Sequence, residues 1–396
     1  MAGKKQERDE LSAAVLPRPL YFLVFLLSTL LLYPRLTNAA ETTPQAALSS
    51  ALRNTPSVAV VLDVKTGHQL AAVKPAEAAN LRSAPGSILK PLFLAAALQH
   101  QQLQPQTTVF CRRDLRVTAG NRDWNLACTH PQTNVAFTAQ EALAYSCNRY
   151  FATLADRIPP AQATEILEHY GLPQTRTPET REKKELLVLG IAGIAVSPTQ
   201  VAAAYRKLAL ELDDTHTPAA LDPVRDGLRD SVRYGMAHNA DVPGMDIAGK
   251  TGTASDTAQG VSHGWFAGSG SLGHQEVVVV IYLPQGNGAD AARLAQHFFL
   301  TAKPSAMRAP DSARSLTIEL WTSRSVTHFT ATPIGSTSKP LNVDWQRDGL
   351  QTTPGKISKQ LELSGNFRLQ APDVPEVIAS GSWAIRWQQD RLRVLL

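Results

Sequence analysis

The chain has 396 residues, 43% hydrophobic and 18% charged, which suits two domains with a substantial core and argues against a mainly disordered chain. Its 26 Pro and 24 Gly follow no G-x-y period, and none of its three Cys pairs at C-x-x-C spacing, so a collagen-like repeat, a disulfide scaffold and a zinc ribbon are not expected. The net charge of +5 divides into +2 over residues 1–40, −1 over residues 41–300 and +4 over residues 301–396; with the largest block nearly neutral, nucleic acid is not the expected partner.

In chain order, Leu20 to Tyr33 is a run of 14 uncharged residues behind a Lys/Arg-containing head. A span of the bilayer needs roughly 20 apolar residues, so the run reads as the core of a signal peptide, with Thr37-Asn38-Ala39 as a small-residue cleavage site. A retained membrane anchor is the alternative, and both place the remainder outside the cytoplasm. Residues 1–40 are therefore expected to be a signal or anchor, and residues 41–56, rich in Ala, Thr, Ser and Pro, a linker. Export also makes a disulfide between Cys111 and Cys128 an expectation. Ser57 to Val64 and His68 to Val73 read as a β-hairpin turning at Lys65-Thr66-Gly67. Helices are expected over Ser87 to His100, over Ala139 to Asp156, and from Ser197-Pro198, where Ser is the N-cap and Pro the first helical residue. Strands return at Asp246 to Ala254, Gly264 to Gly268 and Glu276 to Leu283, and a helix follows at Ala291 to Leu300. Strands at both ends with helices between predict an α+β domain whose sheet joins its first and last segments. Residues 301–314 read as a second linker, and residues 315–396 as a small all-β module with short alternating runs.

Three short motifs follow one another in the middle block: Ser87-x-x-Lys90, Ser146-x-Asn148 and Lys250-Thr251-Gly252-Thr253. Each also occurs elsewhere, at Ser336-x-x-Lys339, Ser364-x-Asn366 and Lys65-Thr66-Gly67, so context must sort them. Ser87 and Lys90 open an apolar helix, where i,i+3 spacing sets hydroxyl and amine on one face. The positive end of the helix dipole favours an oxyanion at Ser87. Burial of Lys90 against Leu92 and Phe93 would lower its pKa enough to accept the Ser87 proton. Lys250 to Thr253 lies in a strand-like run, where Gly252 admits a ligand close to the backbone. The three duplicates fall in turns.

The order S-x-x-K, S-x-N, K-T-G resembles the penicillin-binding transpeptidases and the related serine β-lactamases. Arg82 to Pro91, Glu141 to Phe151, Gly190 to Gln200 and His263 to Gly268 are similar to segments of the same family, in its order, so that residues 57–300 resemble one transpeptidase domain. The resemblance implies a β-lactamase-like α+β fold with an antiparallel sheet and a helical subdomain. It implies Ser87 as acylated nucleophile, Lys90 as general base and Ser146 as proton relay to the leaving amine. Asn148, Lys250 and Thr251 would hold substrate, with the backbone N–H groups of Ser87 and Thr253 as the oxyanion hole and Gly252 between them. Cys147 would be a space-filling middle residue, and Trp265 and Phe266 core. No cofactor and no metal are expected.

The implied partners are peptidoglycan stem peptides and β-lactams, in the cell envelope. A D,D-transpeptidase is the leading reading; a D,D-carboxypeptidase, a serine β-lactamase or sensor, and a non-catalytic wall scaffold are the alternatives. Glu141, the acid nearest the S-x-N motif, reads as a helix cap rather than a deacylating base. About 50 residues separate the apolar run from Ser87, too few for a glycosyltransferase domain or a large N-terminal interaction domain, so a separate glycosyltransferase partner is expected. The tail from Ser315 to Pro333 faintly resembles the β-rich start of the SpoIID/amidase-enhancer group, which would suit wall binding.

Overall fold

The computed structural model describes residues 42–130, 136–173, 175–213, 218–242, 245–256 and 261–302, and beyond these only the backbone of the C-terminal strands. The apolar run at Leu20 to Tyr33 lies outside the described residues, and among those described no helix is long and apolar enough to cross a membrane.

Five antiparallel strands form the central sheet: β1 (Val58–Asp63), β2 (Gln69–Val73), β5 (Ala248–Asp256), β6 (Val261–Leu272) and β7 (Gln275–Leu283), in the order β2-β1-β7-β6-β5. The first and last parts of the domain thus meet as expected, β1 lying against β7 with Val58 opposite Tyr282 and Asp63 opposite Val277. Alternation along the strands divides the core in two. Ala59, Val61, Val277, Val279 and Ile281 face one apolar layer, while Val58, Val60, Leu62, Val278 and Val280 face the other. With apolar residues on both faces, β1 and β7 read as nearly continuous Val/Ile/Leu runs.

On the first face lie helix α1 (Pro44–Ala51) and the C-terminal helix of the domain, Gly288–Ala302, through Ala47, Leu48, Phe298 and Phe299. Helix α1 corrects the expectation of a linker over residues 41–56. Thr43 caps it by accepting the Ala46 N–H, Pro44 opens it, and Gln45 bonds the Ala72 backbone of β2 in both directions. The alanine-rich composition suits a short capped helix as well as a loose chain, and here Ala47 and Leu48 are fully buried.

The second face carries the helical subdomain. Helix α2 (Pro75–Asn80) follows β2, and the centre of the subdomain is helix α3 (Lys90–Gln99), buried from Lys90 through Leu98. The sequence places one helix from Ser87; the structure places Gly86–Leu89 in a 3-10 turn that leads into α3. The single run expected over Ala139 to Asp156 is two helices, α4 (Ala139–Ala144) and α5 (Asn148–Arg157). The break falls at Ser146, whose φ of 55° ends the first helix. Helix α8 (Pro198–Glu211) has the predicted start, Ser197 capping the Gln200 N–H and Pro198 at the first helical position. A hairpin of β3 (Arg116–Ala119) and β4 (Arg122–Asn125), and helices α6 (Pro160–His169), α7 (Arg181–Val188) and α9 (Asp222–Arg233), had no separate signal in the sequence reading.

The α+β expectation therefore holds, as does the β-rich character of the C-terminal segment. There the described strands form one sheet of four (Leu341–Asp344, His328–Pro333, Phe367–Gln370, Val377–Ala379) and one of five that includes Ser382–Gln388 and Arg391–Leu395.

Candidate active site

The serine turn is anchored from several directions before any catalytic group is considered. Ser83 pairs with Val196 through two backbone hydrogen bonds, and the Gly86 N–H donates to the Gly190 carbonyl at 2.8 Å. Tyr205, on α8, donates its hydroxyl to the Ile88 carbonyl at 2.8 Å. Trp265 Nε1 donates to the Ala84 carbonyl at 3.0 Å, and His263 Nε2 lies 2.9 Å from both Ala84 O and Ser83 Oγ. Trp265 and Phe266 are fully buried, as expected of core residues. Local pattern assigns His263 to Gly268 to a strand but carries no sign that His263, Trp265 and Tyr205 fix the turn, since their partners lie far away in the chain.

Strand β5 closes on this turn. A Cβ placed on Gly252 would meet Pro85 O at 2.5 Å, and one on Gly190 would meet Gly86 O at 2.1 Å. Both glycines are therefore required by close backbone approach. Gly190 also has φ near 69°. The approach brings the Thr253 backbone beside Gly86 and the half-buried Ser87. Thr253 Oγ1 accepts the N–H of Gly288, where the last helix of the domain starts, and Thr251 Oγ1 donates to Met236 O at 3.3 Å.

Lys90 has no solvent exposure. Its ammonium donates to Ser146 O at 2.8 Å, Ser146 Oγ at 3.2 Å and Asn148 Oδ1 at 2.6 Å, and it lies 5.2 Å from the centroid of the Phe151 ring. Burial lowers the Lys90 pKa to about 8. Asn148 is held at its other end, where Nδ2 donates to Leu126 O at 2.9 Å. Lys250 is fully buried too, its amine bonded to Thr251 O at 3.1 Å. Its pKa is held well below the usual lysine range, first by burial and then by the charge on Lys90.

The fold thus gathers Lys90, Ser146 and Asn148 into one hydrogen-bonded group and presses Gly252 and Thr253 onto the turn that carries Ser87. Of the duplicate motifs, Lys65-Thr66-Gly67 sits in the β1–β2 turn, where Asp63 Oδ1 accepts the Thr66 N–H and hydroxyl. Residues 336–339 and 365–366 lie outside the described residues. Glu141 completes a capping box with Thr138, its carboxylate accepting the Thr138 N–H at 2.8 Å, as its position in the first turn suggested. The expected Cys111–Cys128 disulfide is not formed: all three cysteines are thiols, with the two sulfurs 3.5 Å apart.

Residues 57–301 match the family model of the penicillin binding protein transpeptidase domain. Solved structures repeat the fold at low identity. The D,D-transpeptidase domain of a peptidoglycan glycosyltransferase from Eggerthella lenta is 21% identical with a TM-score of 0.53, covering 65% of this chain and 80% of that one. A peptidoglycan glycosyltransferase from Burkholderia ambifaria is 22% identical with a TM-score of 0.54, over 67% and 93% of the two chains. The transpeptidase domain of Burkholderia pseudomallei penicillin-binding protein 3 is 21% identical with a TM-score of 0.53, over 66% and 92%. Among curated proteins none matches the chain. Because the family match spans more than half of its length and carries the serine turn, the S-x-N turn and β5 within it, this chain belongs to the penicillin-binding protein transpeptidase family.

Proposed function

We propose that the chain is a serine D,D-transpeptidase that cross-links peptidoglycan stem peptides through an acyl-enzyme on Ser87 and is trapped there by β-lactams. The observation that carries this reading is the state of Lys90: a fully buried amine with a pKa near 8, hydrogen-bonded to Ser146 and Asn148 one turn after Ser87. A desolvated lysine loses its proton far more readily than an exposed one and can serve as a base near neutral pH.

In this mechanism neutral Lys90 takes the Ser87 proton as Oγ attacks the penultimate D-alanine carbonyl. The carbonyl oxygen gains negative charge, and the N–H groups of Ser87 and Thr253 stabilise it. Ser146, within hydrogen-bond reach of Lys90, passes the proton to the departing D-alanine nitrogen, so that the C–N bond breaks as the ester forms. Lys250 and Thr251 hold the terminal carboxylate: the incoming negative charge favours the ammonium form of Lys250 against the burial that lowers its pKa, and the Thr251 hydroxyl turns from Met236 O to donate to the carboxylate. An amine from a second stem peptide then attacks the ester and restores Ser87. The helix-capping geometry of Glu141 favours this branch over a β-lactamase, which needs a free deacylating base.

The same reading places the chain in the cell envelope, led there by residues 1–40, and beside a separate glycosyltransferase that makes the glycan. Its test is time-resolved mass spectrometry of the purified protein with penicillin. A single adduct on the Ser87 peptide that persists for many minutes is expected, together with loss of fluorescent-penicillin labelling in Ser87→Ala. Label surviving that substitution would overturn the site. Rapid nitrocefin turnover would replace the transpeptidase reading with a β-lactamase. Products made with an amine acceptor and with water alone separate cross-linking from carboxypeptidase activity.

A further inference from the structure

Cys147, the middle residue of the S-x-N motif, is one of four metal-ligating side chains that the fold brings together. Cys111, Cys128, His130 and Cys147 each place one ligand atom so that all four lie within 4.8 Å of one another, and all four residues are buried. The sulfurs of Cys111 and Cys128 are 3.5 Å apart and those of Cys128 and Cys147 are 4.0 Å apart. A tetrahedral zinc ion with Zn–S bonds of ~2.3 Å sets its sulfur ligands about 3.8 Å apart. The two observed separations bracket that value. A disulfide would need ~2.05 Å and would use two of the four groups.

We infer that Cys111, Cys128, His130 and Cys147 form a structural zinc site that ties the segment around the β3–β4 hairpin to the turn bearing Ser146 and Asn148. The surroundings of the ligands fit such a role. Cys111 Sγ accepts the N–H of Arg113 at 3.3 Å, the kind of outer-shell bond that supports a metal-bound thiolate. Arg113 takes the left-handed conformation, with φ of 68°, and its carbonyl accepts the Cys128 N–H at 2.7 Å. Cys111 and Cys128 are thereby held on either side of β3 and β4. The His130 ring packs against Phe137 with centroids 4.7 Å apart. Cys147 precedes the first residue of α5, and Asn148 bonds Leu126 O two residues before Cys128. One ion would therefore fix both sides of the contact that orients Asn148.

The spacing hides the cluster from any local pattern. The ligands are separated by 16, 1 and 16 residues, unlike the close pairs of a zinc ribbon, and only the hairpin fold makes them neighbours. On binding, Zn²⁺ forms three Zn–S bonds and one Zn–N bond; three thiol protons pass to water, and the completed site carries one negative charge. Three thiolates with one imidazole select zinc over magnesium or calcium, which prefer oxygen.

Zinc content tests the site independently of any acylation chemistry. The full chain, purified without chelator, is expected to hold one zinc per molecule by elemental mass spectrometry and to release it as its thiols are titrated with an organomercurial. Cobalt exchanged into the wild-type protein is expected to show thiolate charge-transfer and tetrahedral d–d bands. His130→Ala should weaken zinc binding more than ~100-fold, beyond the usual cost of outer-shell changes, whereas His130→Cys should retain the ion as a four-thiolate site. A Cys111–Cys128 disulfide in the intact protein, or reduced thiols that stay metal-free at saturating zinc, would overturn the site. Zinc removal should also slow penicillin acylation at least about tenfold, since small misplacements of positioning groups are costly. An unchanged rate in the metal-free protein would overturn the role at the turn while leaving the metal itself in place.

Discussion

Two turns meet at the candidate active site, and they are held by different means. The Ser87 turn is gripped by main chain and core: Gly190 and Val196 bond its backbone, Tyr205 and Trp265 reach it from a helix and a strand, and β5 presses against it through Gly252. The Ser146–Asn148 turn is held largely by polar side-chain groups. Lys90 bonds Ser146 and Asn148, Asn148 bonds Leu126 O, and Cys147 sits among the other three potential ligands. A position fixed by close backbone packing has few alternatives. A position fixed through polar side chains, by the Lys90 amine, the Asn148 amide and the ligand cluster around Cys147, depends less on apolar packing. Changes at the first turn should therefore be felt in stability as well as rate, and changes at the second chiefly in rate.

The largest expected effect tests the second half of that contrast. Lys90→Met removes the proposed base and the amine that joins Ser146 to Asn148. Acylation by penicillin should fall by about a thousandfold, within the usual range for a general base. Removal of a buried charge is offset by three acceptors, Ser146 O, Ser146 Oγ and Asn148 Oδ1, left without their donor, so the melting temperature should fall less than in a core truncation. A melting point lowered as far as in a core truncation would show that the polar link also carries the fold. Gly252→Ala probes the first turn. With Pro85 O at 2.5 Å from the new Cβ, it should destabilise the domain by about 1–3 kcal/mol and slow acylation together. A slower rate at unchanged stability would erase the distinction between the turns.

The pH profile sharpens the same comparison. The proton-accepting form of Lys90 is the neutral one, and its pKa is lowered to about 8 by burial. Acylation should accordingly rise about tenfold between pH 7 and pH 9 and then level off, measured as the rate of adduct formation at fixed penicillin. A rate flat across that interval would remove Lys90 from the base role. The smallest effect is expected for Tyr205→Phe, which leaves the Ile88 carbonyl without its hydroxyl donor. A loss of about 1–2 kcal/mol in denaturant unfolding is typical of a buried group deprived of its hydrogen bond.

The two turns were also unequally legible in the sequence. The serine turn, its helix and β5 could be read because apolar periodicity and the three motifs agree there. Strand limits moved only by a few residues, β6 running over Val261–Leu272 where Gly264 to Gly268 had been expected. The S-x-N turn was hidden inside an unbroken helical pattern. Neither Gly nor Pro marks residues 139–157, and the break depends on Ser146 adopting a left-handed conformation that long-range bonds to Lys90 support. His130 and the three cysteines lie in polar segments whose local pattern does not show where the chain returns. The short helix Pro44–Ala51 has the composition of a linker, because alanine, serine and threonine serve a capped helix and a loose connection equally well.

Strand β5 is the last in the order β2-β1-β7-β6-β5, bonded along one side to β6 and bordered on the other by the serine turn. An edge strand offers a row of main-chain donors and acceptors to any extended chain laid beside it. A stem peptide docking there would extend the sheet by one strand and be recognised by its backbone. Such recognition is blind to most side chains of the guest, and it leaves selectivity to the peptide's carboxyl end and to the depth at which it slides along the strand.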